Sequence, residues 1–439
     1  MLERVFHLRA NGTSVRVEVV GGGTTFLTMA YIVFVNPAVL AQAGMDFGAV
    51  MTATCLASGI ATWVMGLAAN YPIALAPGMG QNFFFVGVVL GMGESWQVAL
   101  AAVLVSGIAF FVLTLLGVRQ LVLDAIPEGL KHAIAVGIGL FIALLGLVGA
   151  GIVERPAGAG ILHLGDLTRA PTLVACVGLM ATVGLMAREV RGAILWGILA
   201  ATGVAWSIGL VRWQGLLAPP PSLAPTLLQL DLPGLLRPET LPIVLVFLYM
   251  AMFDAIGTLV GVAGRAGFLR DGKLPRADRA LLADSSGTIL GAVLGTATVT
   301  AYVESASGVA AGARTGLANL VTGAGFFLAL FLAPLARTVG GGVPVEGGVV
   351  LQPLTAPALI VVGSLMAQNV TRLDWRDPTE FFPAFLIVIG IPFTWSIADG
   401  LAFGFIAYPT LKLLAGRGRE ISAVAYVLGL LLVLRYAFL

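Results

Sequence analysis

Long apolar runs follow one another from near residue 17 to the C-terminus, separated by short polar or proline-rich links. The runs are continuous and lack the alternation of a strand wetted on one face. Most approach the roughly 20 residues that a helix needs to cross a bilayer core. In lipid the backbone must satisfy its own polar groups, which leaves helices or closed barrels, and unbroken runs select helices. The first seven predicted spans are 17–40, 47–69, 73–92, 97–118, 127–150, 171–187 and 191–211. A link holding Pro219, Pro220, Pro221 and Pro225 follows. The next seven are 241–263, 281–295, 296–313, 316–336, 354–370, 382–396 and 398–415. A last apolar piece, 421–438, either spans or lies along the interface.

The expected fold is thus an all-α polytopic membrane protein of about 14 transmembrane helices. Seven is odd, so the second set is inverted relative to the first, a pattern common in transporters. The third member of each set departs from the rest. In residues 74–85, Pro77, Gly78 and Gly80 oppose a continuous helix. In residues 295–308, the β-branched Thr296, Thr298, Val299, Thr300 and Val303 favour extension before Glu304. Both segments are expected to begin extended and then turn helical. Interrupted spans at corresponding places in two halves point to a binding site near the midplane.

Charge fits this register. With the N-terminus in the cytoplasm and fourteen alternating spans, eighteen of the 24 lysines and arginines fall on the cytoplasmic side. Arg155, Arg169, Arg212, Arg237 and Arg337 fall outside, and Arg435 is left in the last segment. The cluster Arg265, Arg270, Lys273, Arg276 and Arg279 reads as a topology signal. The chain has 439 residues, 59% hydrophobic and 10% charged, with mean hydropathy +1.00, which excludes an ordinary soluble domain. The net charge of +2 is scattered between spans and gives no nucleic-acid surface. Cys55 and Cys176 sit inside apolar runs as inert thiols, and His7, His132 and His163 lack ligand spacing. No cofactor or metal is expected. No nucleophile–base pair stands out, so the chain is not expected to be an enzyme.

Two acids within apolar runs carry the candidate chemistry. A carboxylate at a helix centre costs roughly 2.5–3.5 kcal/mol to insert, and such residues commonly face a cavity or handle a substrate or proton. Glu304 lies in the interrupted tenth span and Asp254 mid-way along the eighth. A structural alternative pairs Glu304 with Arg314, ten residues on, at a helical separation of roughly 15 Å. Asp284 reads as a helix cap or anchor at the cytoplasmic face and Asp399 as a cap. Asn36-Pro37 reads as a helix end. Tyr31, Phe34, Phe326 and Phe327 read as packing residues.

Several blocks together resemble one family. They are Gly21–Pro37, Asn70–Asn82 with its Pro77-Gly78-Met79-Gly80 core, and Phe253–Thr258. Leu281–Asp284, Tyr302–Gly312 and Ser396–Gly404 complete them. In this order they resemble the AzgA-like purine permeases, a branch of the nucleobase–cation symporter (nucleobase–ascorbate transporter) superfamily. The resemblance implies fourteen helices in two inverted repeats of seven. It implies a core domain (17–118 and 241–336) and a gate domain (127–211 and 354–415). It further implies import of hypoxanthine, guanine or adenine with protons, and a homodimer through the gate domain.

Residue by residue, Glu304 matches the family's acid that hydrogen-bonds the base. Asp254 matches an acid tied to binding and proton coupling, and Asn82 the asparagine of the site. Phe83 falls near a ring that stacks on the base, and Tyr302 matches a tyrosine of uracil-transporting relatives. Gln81 and Phe83 replace the usual apolar and small residues flanking Asn82, which bears on the preferred substrate. Purines present edge donors and acceptors. An ionised Glu304 suits adjacent N–H groups, Asn82 supplies a donor and an acceptor, and backbone N–H groups at Val303 and Gly80 complete the edge. Xanthine, urate, uracil or an anion on the same fold remain alternatives, and two acids argue against the anion.

Overall fold

The computed structural model describes residues 2–117, 128–154, 162–237, 240–268, 274–345 and 349–421, with 425–426, 429–430, 432–433 and 436 beyond. The expected segment 421–438 lies largely outside the described residues, as do Arg119, Arg155, Arg270, Lys273 and Arg435. The first half holds helices α1 (Val15–Met29), α2 (Ile32–Ala41) and α3 (Phe47–Ala68), strand β1 (Leu75–Pro77), then α4 (Met79–Met92) and α5 (Trp96–Leu115). It closes with α6 (Glu128–Gly149), α7 (Ala170–Ala187) and α8 (Ala193–Ser207). The second half opens with α9 (Leu241–Ala266), α10 (Ala277–Leu294), strand β2 (Val299–Ala301) and α11 (Ser305–Ala310). It continues with α12 (Leu317–Ala329), α13 (Ala333–Gly340), α14 (Ala356–Ala367), α15 (Pro378–Thr394) and α16 (Ile397–Leu414).

A helix lies at each expected position. Seven stretches, counting α1–α2 and α12–α13 as single ones, have the length and apolarity of a full crossing among the described residues. Strand followed by short helix stands at both places where interrupted spans were predicted, as β1–α4 and β2–α11. The two strands pair antiparallel, Leu75 opposite Ala301 and Pro77 opposite Val299. The described residues are mostly helical and form no closed barrel.

Contacts divide the chain into two compact units. The first is Met1–Leu116 with Val148–Ala358, and the second is Gly117–Leu147 with Leu359–Leu439. This division differs from the core–gate expectation in grouping α7 and α8 with the first unit.

The first unit packs through small residues, as membrane helices do when backbones must approach closely. At one crossing Gly66 of α3 meets Gly316 at the entry to α12. A Cβ on Gly316 would sit 1.9 Å from the Gly66 carbonyl oxygen. Thr322 of α12 donates to the Gly22 carbonyl of α1, and the Trp63 indole to the Leu320 carbonyl. Overpacking of this kind typically costs about 1–3 kcal/mol, and backbone cannot move aside as a side chain can. Gly316→Ala is therefore expected to lower the melting temperature and yield of the purified protein, whereas Gly23→Ala, which meets open space, should leave both unchanged.

Asn36-Pro37 does not end a helix. The first span breaks earlier, at Ala30–Tyr31, and Pro37 lies inside α2. Asn36 is fully buried and donates to the Thr54 and Thr296 hydroxyls at 2.7 and 2.9 Å. These partners hold a polar side chain in mid-helix that its neighbour alone would suggest as a terminus.

In the second unit α15 packs on α16, and α6 meets α14 where a Cβ on Gly363 would lie 2.4 Å from the Gly139 carbonyl oxygen. Ser396, not Asp399, caps α16 by accepting from the Asp399 N–H. Beyond α16, Arg417 bonds Asp377 at 2.5 Å and Glu420 at 2.8 Å. Its guanidinium and the Thr379 donors hold the Asp377 carboxyl well below the usual carboxylate range. Glu420, bonded by Arg417 and Lys412, is lowered to about 2.

Candidate functional site

The extended segments before Glu304 and Met79 meet because neither can complete a helix. Pro77 lacks an N–H and blocks the preceding turn, and Thr298–Val303 supplies the partner strand. The pairing extends beyond the strands: Gly78 N–H donates to the Thr298 carbonyl at 2.8 Å and Tyr302 N–H to the Ala74 carbonyl at 3.0 Å. The Tyr302 hydroxyl reaches back to the Pro77 carbonyl at 2.5 Å, and Ser305 accepts from the Ala74 N–H. Two short helices thus begin side by side; the Ser305, Ala306 and Ser307 N–H groups of α11 close tight turns onto the Tyr302, Val303 and Glu304 carbonyls, and the start of α4 presents its positive dipole end.

Glu304 stands immediately before α11. Its carboxylate accepts from the Tyr31 hydroxyl at 2.8 Å, and the side chain stays half-buried. Val303, beside it, is 54% exposed. Gly80 in the first turn of α4 is half-buried, and Asp254 of α9 is exposed although it lies mid-helix. Glu304, Val303, Gly80 and Asp254 are therefore the sequence-predicted residues with open surface.

Asn82, Phe83 and Tyr302 are placed behind them. Asn82 is fully buried and donates to Asn36 Oδ1 at 2.5 Å; Phe83 and Tyr302 are 1% and 6% exposed. In this conformation the faces of the Phe83 ring are covered. Gln81 also turns inward, donating from Nε2 to the Asp254 carboxylate at 3.4 Å.

Three readings change. Glu304 makes no ion pair with Arg314, whose guanidinium donates instead to the Val309 and Ala313 carbonyls at the end of α11. Its backbone N–H, with that of Thr315, is held by the fully buried Glu18. Tyr31 is more than packing, since it bonds Glu304. Asp284 is not a cap: α10 starts at Ala277, and Asp284, fully buried, accepts from the Ala301 N–H at 2.7 Å and the Thr300 hydroxyl at 3.1 Å. It clamps β2 from the far side. Thr28 adds a bond to the Ser307 hydroxyl. The signal for Tyr31, Asn36 and Asp284 was present as polar groups inside apolar runs, without a partner nearby in sequence. An apolar groove of about 760 Å³, lined by residues such as Phe26, Gly325, Leu328 and Phe331, shares no residue with this set.

The family match and the sequence relatives agree on one family. The Permease family (Xan_ur_permease) matches residues 16–403. The guanine/hypoxanthine permease PbuG of Bacillus subtilis (strain 168) is 45% identical over 452 residues, covering 100% of each chain. The adenine permease AdeP of Escherichia coli (strain K12) is 42% identical over 442 residues, covering 100% of this chain and 96% of that one. Among solved structures, the transmembrane domain of the cyanobacterial bicarbonate transporter BicA matches with a TM-score of 0.61. At 14% identity, over 88% of this chain and 96% of that one, it shows a shared fold. The family match, the full-length likeness to these relatives and the apolar spans together establish that the chain belongs to the Permease family, in its nucleobase–ascorbate transporter group, and is a multi-pass membrane transporter rather than an enzyme.

Proposed function

We propose that this protein imports purine nucleobases, hypoxanthine, guanine or adenine, together with protons and by alternating access. The observation that carries this reading is Glu304, a carboxylate with open surface at the junction of two half-helices, in a chain whose full-length relatives are adenine and guanine/hypoxanthine permeases. Glu304 accepts N–H groups from the base edge, a charge-assisted bond. Backbone N–H groups near Gly80 and Val303 donate to base acceptors. Tyr302, Asn82 and Phe83 form the wall that holds those backbone groups, and a stacking contact through Phe83 requires the ring to be uncovered during transport. Asp254 is the proton-coupling group, with Glu304 close enough to share its field, and H⁺ is the coupling ion. The N-terminus faces the cytoplasm, the protein sits in the plasma membrane, and two copies associate through the gate domain.

An anion on this fold is disfavoured by the two carboxylates. Arg314 follows Glu304 in sequence but is turned away to carbonyl groups. The test is uptake of labelled hypoxanthine into proteoliposomes, with and without an inward proton gradient, against guanine, adenine, xanthine, uracil and bicarbonate. Gradient-driven uptake displaced by purines alone is expected. Displacement by uracil or bicarbonate, or indifference to the gradient, overturns the corresponding part of the reading.

A further inference from the structure

We propose that the Gln81 amide is a positioning device that lets the first turn of α4 follow the charge on Asp254, with Gly78 as the seat that holds it. The inference rests on the proton-coupling reading above. Gln81 is 1% exposed, and its Nε2 lies 3.4 Å from the Asp254 carboxylate while its Oε1 is buried with no hydrogen-bond partner. The amide therefore spends one end on Asp254 and keeps an acceptor in reserve. A primary amide offers both a donor and an acceptor. An ionised Asp254 takes the N–H; a protonated Asp254 needs an acceptor for its O–H, and a half-turn of the amide supplies one. A side chain with only one of these functions serves one charge state.

Gly78 makes this fold-back possible. A Cβ there would lie 1.7 Å from Gln81 Oε1 and 2.9 Å from its Cδ. The backbone of Gly78, at φ −70° and ψ 121°, is open to any residue, so the glycine is required by space and not by torsion. Gly78 also donates to the Thr298 carbonyl, so the seat is part of the bridge between the half-helices. The titratable groups whose fields reach Asp254 from the elements around it are Glu304 and Tyr302 beside α11 and Asp284 on α10. The Tyr302 hydroxyl is spent on the Pro77 carbonyl, Asp284 on β2 and Glu304 on Tyr31, whereas the Gln81 amide bonds Asp254 itself.

The test compares the pH profile of hypoxanthine uptake for the full chain in proteoliposomes with those of Gln81→Leu, Gly78→Ala and Asp254→Asn. Melting temperatures serve as the check on folding. Gly78→Ala meets mainly the mobile end of Gln81, so it is expected to fold while displacing the amide. Both Gln81→Leu and Gly78→Ala are expected to move the midpoint of the profile by about one pH unit, the scale of one hydrogen bond to a charged group. Turnover should fall about tenfold, with KM for hypoxanthine changed less than about threefold. Folded Gln81→Leu or Gly78→Ala protein with a profile that overlays the parent's overturns the role of Gln81. If that happens while Asp254→Asn gives a flat profile, proton coupling through Asp254 stands and only the Gln81 inference fails. A parent-like profile in Asp254→Asn removes the coupling reading, and this inference with it.

Discussion

Replacing Glu304 by glutamine is expected to reduce hypoxanthine binding by roughly tenfold to a hundredfold and to bring uptake to background. The change keeps the shape of the side chain and its bond from Tyr31 while removing the charge. Hydrogen bonds to charged groups contribute roughly 1.5–3 kcal/mol, which converts to that range of Kd. Folding should be little affected, because Glu304 keeps open surface and the Tyr31 hydroxyl can still donate to a glutamine carbonyl. Calorimetric binding to purified protein, with a melting curve alongside, separates these. Unaltered binding would remove Glu304 from the site. Lost binding with a collapsed melting curve would make it structural instead.

Asp254→Asn should give a different phenotype. The asparagine still accepts from Gln81 Nε2, so the local packing survives. It cannot alternate between charged and neutral forms, so accumulation against a gradient is expected to vanish while exchange of labelled for unlabelled base persists. In proteoliposomes the ratio of internal to external hypoxanthine should fall to about one, the value set by equilibrium without coupling. Retained proton-driven accumulation would transfer the coupling role to Glu304 or Asp284, the other acids whose charge bears on this region.

The two phenotypes are distinguishable because the structure gives the acids different settings. Glu304 stands at a break between strand and helix, beside exposed Val303. Asp254 lies within continuous α9 and is bonded to the other half-helix by Gln81. Behind both, Asp284 clamps β2, and Asn36 ties α2 to α3, Thr296 and Asn82. The site thus depends on a buried polar lattice whose members do not themselves face the open side.

Much of this was already written in the order of residues. Apolar runs near the length of a crossing determined the helices. Pro77, Gly78 and the threonines before Glu304 determined the two interruptions, because each opposes a helix locally. The carboxylates of Glu304 and Asp254 marked themselves by their cost in an apolar run. What only the tertiary structure decided is how those pieces face one another. Tyr31 lies far along the chain from Glu304, and Asp284 was indistinguishable from a cap until β2 was placed against it. Arg314 was a plausible ion-pair partner, but its guanidinium closes α11, and the Phe83 ring is covered in this conformation. The reason lies in the solvent. In water a polar stripe marks the outer face of a helix, but lipid and packed protein are both apolar, so the sequence shows that a helix crosses without showing which side looks inward.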